Sequence, residues 1–121
     1  MDKRCVLIVD DERDIREILQ EALEFTGHRV YTAGDGAEAL RVLGEIERPS
    51  VILLDLMMPI MDGAKFHKHQ KQDPRFNDIP VVIISADCHL KRKSDEMGVN
   101  GFIQKPIELS ELLKVTEGFC R

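Results

Sequence analysis

The stretch VILLDLMMPIMDG at residues 51–63 begins with four consecutive apolar residues and then carries Asp55. A short run of Val, Ile and Leu that leads into turn-forming residues is typical of a strand buried on both faces. A carboxylate therefore stands at the carboxyl end of a buried strand. Asp55 and Pro59 interrupt the apolar stretch, which falls well short of the roughly 20 residues that a membrane helix needs.

Four more short apolar runs occur along the chain, and patterns with helical periodicity separate them. The five runs together are residues 5–9, 29–33, 51–54, 81–84 and 101–103. Regular alternation of strands with helices indicates parallel strands joined by crossover helices. The first, third and fourth runs are almost continuously apolar, which predicts central strands. The run at 29–33 alternates polar and apolar residues more, so we expect it nearer an edge.

The helical patterns place apolar residues three and four positions apart. In the first helix the predicted buried face is Ile15, Ile18, Leu19, Ala22 and Leu23. Further helices are predicted at residues 36–47, 62–72 and 90–97, and a fifth carries Leu109, Leu112, Leu113, Thr116 and Phe119 on one face. The order of elements predicts an α/β fold: a (βα)5 doubly wound, five-stranded parallel sheet of flavodoxin-like architecture, with strand order 2-1-3-4-5.

Length and composition limit the classes of protein. A chain of 121 residues suits a single domain, so we expect residues 1–121 to form one domain without a second. The 22 acidic residues outnumber the 17 basic ones, and the net charge of -5 disfavours direct nucleic-acid binding. Cys5, Cys88 and Cys120 show no disulfide or metal-ligand spacing. The sequence shows no signal peptide or membrane span, so a cytoplasmic location is expected.

Polar residues follow four of the predicted strands. Asp10 and Asp11 come after the first strand, Asp55 after the third, Ser85 after the fourth and Lys105 after the fifth. Ligands of open parallel sheets bind outside the carboxyl ends of the strands, so these side chains should share one edge. Two carboxylates about 4 Å apart repel each other by about 4 kcal/mol at an effective dielectric constant of roughly 20. Three carboxylates therefore require a compensating cation, which a metal ion and Lys105 would provide.

The ligand atoms predicted at this edge are oxygens, with no His or Cys beside them. Such a set favours a hard cation, and a site that keeps positions open for water and phosphate oxygens suits Mg²⁺. With the metal and the lysine in place, a carboxylate can attack phosphorus and form an aspartyl-phosphate. Ser85 would then donate a hydrogen bond to one phosphoryl oxygen, and Lys105 would neutralise another.

Four fragments of the sequence resemble the response-regulator receiver family, in the right order and on the right elements. They are VDD at 9–11, LDLMMPIMDG at 54–63, IPVVIISA at 79–86 and GFIQKP at 101–106. The resemblance spans essentially the whole chain and is to the single-domain type, similar to the chemotaxis response regulator. The sequence has Ser85 where Thr is commoner in the family, and Phe102 where Tyr is frequent.

The resemblance implies a role for each site residue. Asp55 would be the phosphoacceptor, and Mg²⁺, or Mn²⁺ as a substitute, would be held by Asp10, Asp11, Asp55 and the backbone carbonyl of Met57. Ser85, Lys105 and the backbone of Ala86 would bind the phosphoryl group. Ser85 and Phe102 would form the switch pair, and the peptide bond before Pro106 would be cis.

The resemblance also implies partners. A histidine kinase or a histidine phosphotransfer protein would donate the phosphoryl group, and a downstream protein would bind the face of the fourth helix, fifth strand and fifth helix. The chain would lack an output domain, would not bind nucleic acid or membrane, and would be a monomer or a phosphorylation-dependent dimer. It would catalyse only its own phosphorylation and dephosphorylation. The basic run Lys91-Arg92-Lys93 reads as a solvated helix face, and it is a candidate contact for an acidic partner.

Other readings fit parts of the pattern. A metal-dependent phosphatase with an aspartyl intermediate would want an Asp-x-Asp pair and a cap insertion, whereas the chain has Asp10-Asp11-Glu12 and no spare segment. A flavin or dinucleotide domain would want a Gly-rich or hydroxyl-rich loop after the first strand. A receiver that works without phosphorylation would not need all five site residues. Taken singly, Asp10 or Asp11 could equally cap the first helix, and His28, His67, His69 and His89 are expected to be solvated.

Overall fold

Five strands and five helices alternate along the computed structural model, which describes residues 5–120. The strands are β1 (Cys5–Val9), β2 (Arg29–Ala33), β3 (Val51–Asp55), β4 (Val81–Ser85) and β5 (Gly101–Gln104). The helices are α1 (Arg13–Phe25), α2 (Gly36–Leu43), α3 (Gly63–Gln72), α4 (Leu90–Met97) and α5 (Leu109–Phe119). Within that range, no helix is long and apolar enough to cross a membrane.

The strands form one parallel sheet with the order β2-β1-β3-β4-β5. This confirms the predicted fold class and strand order. Every residue of β1, β3 and β4 is buried, as their continuous apolar sequences predict, whereas the edge strands β2 and β5 are partly exposed. From β1 the chain adds β2 on one side of the sheet, and then β3, β4 and β5 on the other side. The order of strands therefore reverses between β1 and β3, and ligands of such sheets bind in the crevice outside the carboxyl ends of these two strands.

Helices cover both faces of the sheet, and each face has its own apolar core. Leu7 and Leu54 point to the face that Phe66 of α3 covers. Ile8 and Leu53 point to the opposite face, where Leu19 of α1 packs. Adjacent strand residues separate in this way because side chains alternate across a strand.

Two helices differ from their predicted patterns. α2 ends at Leu43 and not at residue 47, because the chain tightens there: the Gly44 amide bonds to the carbonyl of Arg41, three residues back. In α1 the prediction that Ile18 is buried is wrong, since its side chain is 54% exposed. Ile18 lies about 100° around the helix from Leu19, at the margin of the apolar stripe.

Candidate functional site

Four carboxylates lie together at the carboxyl end of the sheet. Carboxylate oxygens of Asp10, Asp11, Glu12 and Asp55 all lie within 4.8 Å of one another. Asp10 directly follows β1 and Asp55 ends β3, and the parallel pairing of these strands places the two side by side. Asp10 and Asp55 are buried, whereas Asp11 and Glu12 are exposed. The structure thus brings together the three aspartates expected at this edge and adds Glu12.

Lys105 contributes a positive charge to this cluster. Its Nζ lies 3.4 Å from Asp55 Oδ2, 3.5 Å from Asp10 Oδ2 and 3.3 Å from Glu12 Oε1. Burial disfavours the charged lysine, but the Asp10 and Asp55 carboxylates outweigh burial and raise the pKa of Lys105. The Lys105–Pro106 peptide bond is cis, the geometry that the resemblance implies. One ammonium contacts three carboxylates, so the cluster keeps an excess of negative charge.

The groups around Asp55 shift its pKa in opposite directions. Burial raises the pKa of Asp55 to about 6, and the negative charge of Asp10 adds to this increase. The Met57 amide, which donates to Asp55 Oδ1 over 3.1 Å, and the Lys105 ammonium both act in the opposite direction. The ionised form of Asp55 therefore gains from any further cation at the site.

Asp10 shows that the cluster fits a metal ion. Its Oδ1 accepts a hydrogen bond from the Glu12 amide over 2.8 Å, and Arg16 donates to its backbone carbonyl over 2.7 Å. Its Oδ2 is buried and accepts no hydrogen bond. Its one cationic neighbour among the described residues is the Lys105 ammonium, 3.5 Å away, which is shared with two other carboxylates, so this oxygen can accept a second cation. The surrounding carboxylate oxygens are the ligands that a hard divalent cation such as Mg²⁺ prefers.

The remaining predicted site residues lie beside the cluster or away from it. Ser85 is buried at the end of β4, and its Oγ accepts a hydrogen bond from the Asp87 amide over 3.1 Å. Ala86 follows it and is exposed, and the Met57 side chain is exposed as well. Phe102 lies on the edge strand β5 opposite Ile83, set back from the strand ends, with 39% of its surface exposed.

Glu12 was not predicted as part of the site, and two histidines are buried against expectation. Glu12 directly follows Asp11, so its position in the same turn was a usable signal. Asp87 directly follows the IPVVIISA fragment, but its contacts depend on the course of the loop after β4, which no sequence pattern indicates. His28 and His67 were expected to be solvated, but both are buried. His28 lies against the end of α1, where its Nδ1 is 3.1 Å from the Leu23 carbonyl oxygen.

This chain combines a carboxylate cluster and a lysine with a sheet of order 2-1-3-4-5. Comparison with known proteins shows that its sequence, as well as its architecture, matches a known family. The family described as response regulator receiver domain matches residues 6–117. The chain belongs to this family. The prediction from the four sequence fragments is thereby confirmed.

Three relatives illustrate the range of receivers that resemble this one. It is 38% identical, over 91% of its length, to the "Probable transcriptional regulator ycf27" of Guillardia theta and covers 42% of that protein. The structure of Vibrio cholerae chemotaxis protein CheY4 matches with a TM-score of 0.86 and 31% identity, covering 95% of this chain and 97% of that one. The signal receiver domain of a signal transduction histidine kinase from Syntrophus aciditrophicus matches with a TM-score of 0.83 and 32% identity, covering 95% and 88%.

The length of the match differs between these receivers. The chain spans less than half the length of the curated relatives named as ycf27 regulators. It spans nearly the whole of the solved CheY4 chain. What the chain shares with all of them is therefore the receiver domain itself.

Proposed function

We propose that this receiver accepts a phosphoryl group on Asp55 from a histidine kinase or a histidine phosphotransfer protein and so acts in cytoplasmic phosphorelay signalling. The observation that carries the proposal is the setting of Asp55. Its carboxylate is buried at the end of a central strand, with the Lys105 ammonium 3.4 Å away and three other carboxylates within 4.8 Å. A carboxylate in such a setting is a nucleophile whose charge the lysine and a metal can balance.

The proposed reaction transfers the phosphoryl group from nitrogen to oxygen. An Asp55 oxygen forms the bond to phosphorus while the bond from phosphorus to the donor's imidazole nitrogen breaks. The nitrogen keeps the bonding electron pair, and the ring, protonated on its other nitrogen, leaves as neutral imidazole. Catalysis of this exchange is mainly positioning and neutralisation of charge.

The other site residues support this step. Asp10, Asp11, Asp55 and the Met57 carbonyl would hold Mg²⁺, or Mn²⁺ in its place, and the bound metal would neutralise charge on the phosphoryl oxygens. The Lys105 ammonium would neutralise one oxygen. The Ser85 hydroxyl and the Ala86 amide would donate hydrogen bonds to the others.

The added charge would then change partner binding. A dianionic group beside Ser85 and Lys105 biases a two-state element, in which the hydroxyl moves toward the phosphoryl group and the Phe102 ring turns inward. A downstream protein would bind the face formed by α4, β5 and α5, with the receiver as a monomer or as a dimer that forms on phosphorylation. In this proposal residues 1–121 act as one receiver unit that binds proteins, not nucleic acid, and catalyses only its own phosphorylation and dephosphorylation.

Intact mass measured after incubation with phosphoramidate and Mg²⁺ tests the proposal. We expect one added phosphoryl group on the protein, and none on Asp55→Asn or in the absence of the metal. Asp78→Asn is the matched control, because Asp78 is exposed and pairs with Arg48 away from the strand ends; this variant should be phosphorylated normally. A phosphoryl group on Asp55→Asn, or no adduct on a folded protein that also fails to bind beryllofluoride with Mg²⁺, would contradict the proposal.

A further inference from the structure

Asp87, in the loop between β4 and α4, connects three elements. Its amide donates to Ser85 Oγ at the end of β4 over 3.1 Å. Its carboxylate accepts from Lys93 Nζ of α4 over 2.6 Å, and its backbone carbonyl accepts from Gln104 Nε2 of β5 over 3.2 Å. The His89 amide closes the loop with a further bond to Asp87 Oδ1 over 2.7 Å. One residue therefore ties the loop after Ser85 to the end of β4, to a helix and to the edge strand.

Lys93 differs from the two basic residues that precede it. Lys91 and Arg92 are exposed and pair with Asp95 and Glu96 one turn later on the same helix, an arrangement that stabilises a helix only slightly. Lys93 is less exposed and reaches out of α4 to the loop. The expected solvated face therefore holds for Lys91 and Arg92, whereas Lys93 is partly exposed and also contacts the loop.

Lys93 also lies near the loop that follows Asp55. Together with Met57, the second residue after Asp55, it lines a cavity of about 310 Å³ between α3 and α4. The hydrogen bonds from Lys93 and from the His89 amide lower the pKa of Asp87, so its carboxylate is ionised at neutral pH. The pair is a charge-assisted hydrogen bond, and the Asp87 amide links it to Ser85.

We propose that the Asp87–Lys93 ion pair is a latch that positions Ser85 in the unphosphorylated protein and has to yield when Asp55 is loaded. The inference rests on the proposed function, in which the Ser85 hydroxyl moves toward a phosphoryl oxygen. That movement draws the hydroxyl away from the Asp87 amide or moves the loop with it. Lys93 opposes the movement of the loop through Asp87, so both are positioning residues that bias the protein toward its unloaded conformation.

The latch and a simple charge effect predict opposite results when Lys93 is replaced. Removing a cation near the site weakens the binding of an anion by electrostatics alone. Releasing the latch instead makes the loaded conformation easier to reach, so a ligand that selects this conformation binds more tightly. The energy of a partly exposed ion pair corresponds to a change in affinity of about two- to fivefold.

Beryllofluoride with Mg²⁺, a mimic of the phosphoryl group, measures this difference. We expect Lys93→Met to bind it about two- to fivefold more tightly than the unmodified protein. Lys91→Met is the matched control, because it removes the same charge and an ion pair from the outer face of the same helix; its affinity should not increase. Lys93→Met should add nothing to Asp87→Asn, because the pair is already broken there. Unchanged or weaker binding by Lys93→Met overturns the latch.

Amide hydrogen exchange in the unliganded protein separates the latch from the proposed chemistry. The Asp87 and His89 amides should exchange faster in Lys93→Met than in Lys91→Met, since the loop loses its attachment to α4. Equal protection in the two variants overturns the latch and leaves the role of Asp55 untouched. If the unmodified protein bound no beryllofluoride, the proposed function would fail together with its coupling to the loop, and the exchange rates would still decide whether the ion pair holds the loop.

Discussion

Asp55 is less stable as an anion in the folded, metal-free protein than in the unfolded chain. Its pKa rises from the ordinary 3.8 to about 6 because it is buried and lies near Asp10. The folded state therefore keeps a proton that the unfolded state releases, and the stability gained below about pH 4 is lost as the pH rises through about 6. We predict that Asp55→Asn is more stable than the unmodified protein at pH 7.5 without metal, by about 1–3 kcal/mol.

Urea unfolding at pH 7.5 and at pH 4.5 measures this effect. The difference between the two proteins should shrink at pH 4.5, where Asp55 is protonated in the folded state. Mg²⁺ should reduce or reverse the difference at pH 7.5, because it stabilises the unmodified protein by binding the folded state. A metal-free Asp55→Asn that is less stable at pH 7.5 would show that the buried carboxylate is compensated in some other way.

Ile60, in the loop between β3 and α3, has a backbone conformation that its side chain disfavours. Its φ is 67°, a left-handed value that is strained for a β-branched residue by about 1–3 kcal/mol. The side chain is 84% exposed, so it gains little from burial. We predict that Ile60→Gly raises the free energy of unfolding by about 1 kcal/mol, since the relief of strain exceeds the entropy of the more flexible unfolded chain. Ile60→Ala keeps a Cβ and should gain less, and thermal melting of both variants checks the order.

Individual residues were predictable where the topology alone determines their place. Asp10, Asp55 and Lys105 follow strands, and parallel strands end at the same edge, so their meeting follows from the order of elements. The contacts of Asp87 depend on how far side chains reach across a loop, which composition and periodicity do not specify. His67 is buried although it lies in a strongly polar helical sequence, because the side of α3 that packs on the sheet includes it.

At the scale of elements, the start of α3 is fixed by its contact with the end of β3. The Gly63 amide donates to the Leu56 carbonyl over 3.1 Å. A Cβ on Gly63 would collide with the Asp55 carbonyl oxygen and lie only 2.9 Å from Leu56 Cα. We predict that Gly63→Ala pushes α3 away from β3, lowers the free energy of unfolding by about 1–3 kcal/mol and weakens Mg²⁺ binding.

Gly118→Ala, within α5, is the matched control for Gly63→Ala. A Cβ at Gly118 meets nothing within 4 Å, so alanine should stabilise the helix through its higher helix propensity. Urea unfolding and Mg²⁺ titration of both variants provide the comparison. Equal stability of the two variants would mean that α3 and β3 can move apart at Gly63 without lowering the free energy of unfolding.

Helix ends were the least predictable feature of the elements. The apolar Ile46 continues the spacing set by Leu43, which is why the pattern extends α2 to residue 47. Periodicity reports which residues share a face but not where the backbone hydrogen bonds change partners. In the structure that change occurs at Gly44, one residue after Leu43.

The architecture of the molecule was predictable from the sequence because central and edge strands have different patterns of apolar residues. Three continuous apolar runs can only be buried on both faces, so they become β1, β3 and β4. The alternating run at Arg29–Ala33 has a polar side to expose and becomes an edge strand. The apolar runs of the strands do not determine how the helices pack against each other. For this reason the exposure of Ile18 on α1 and of Leu109 on α5 was not predicted.

His67, buried in α3, should make a contribution to stability that is lost in mild acid. Burial and the nearby charge of Lys71 lower the pKa of His67 below its ordinary 6.5, and its Nε2 has no hydrogen-bond partner. The unfolded chain binds a proton at this histidine more readily, so the stability present above about pH 6.5 is lost as the pH falls through the lowered pKa. We predict that this contribution of His67 lowers the free energy of unfolding between pH 7.5 and pH 5.5.

The contribution of Asp55 to stability changes with pH in the opposite direction. The measurement is therefore made on the Asp55→Asn variant, which keeps the effect of His67 and removes that of Asp55. There, urea unfolding between pH 7.5 and pH 5.5 should show a steady loss of stability, and His67→Gln should flatten it. His69→Gln is the matched control, since His69 is exposed on the same helix two residues later, and it should leave the slope unchanged. A slope that survives His67→Gln would mean that His67 accepts its proton in the folded protein as easily as in the unfolded chain, and it would contradict the prediction.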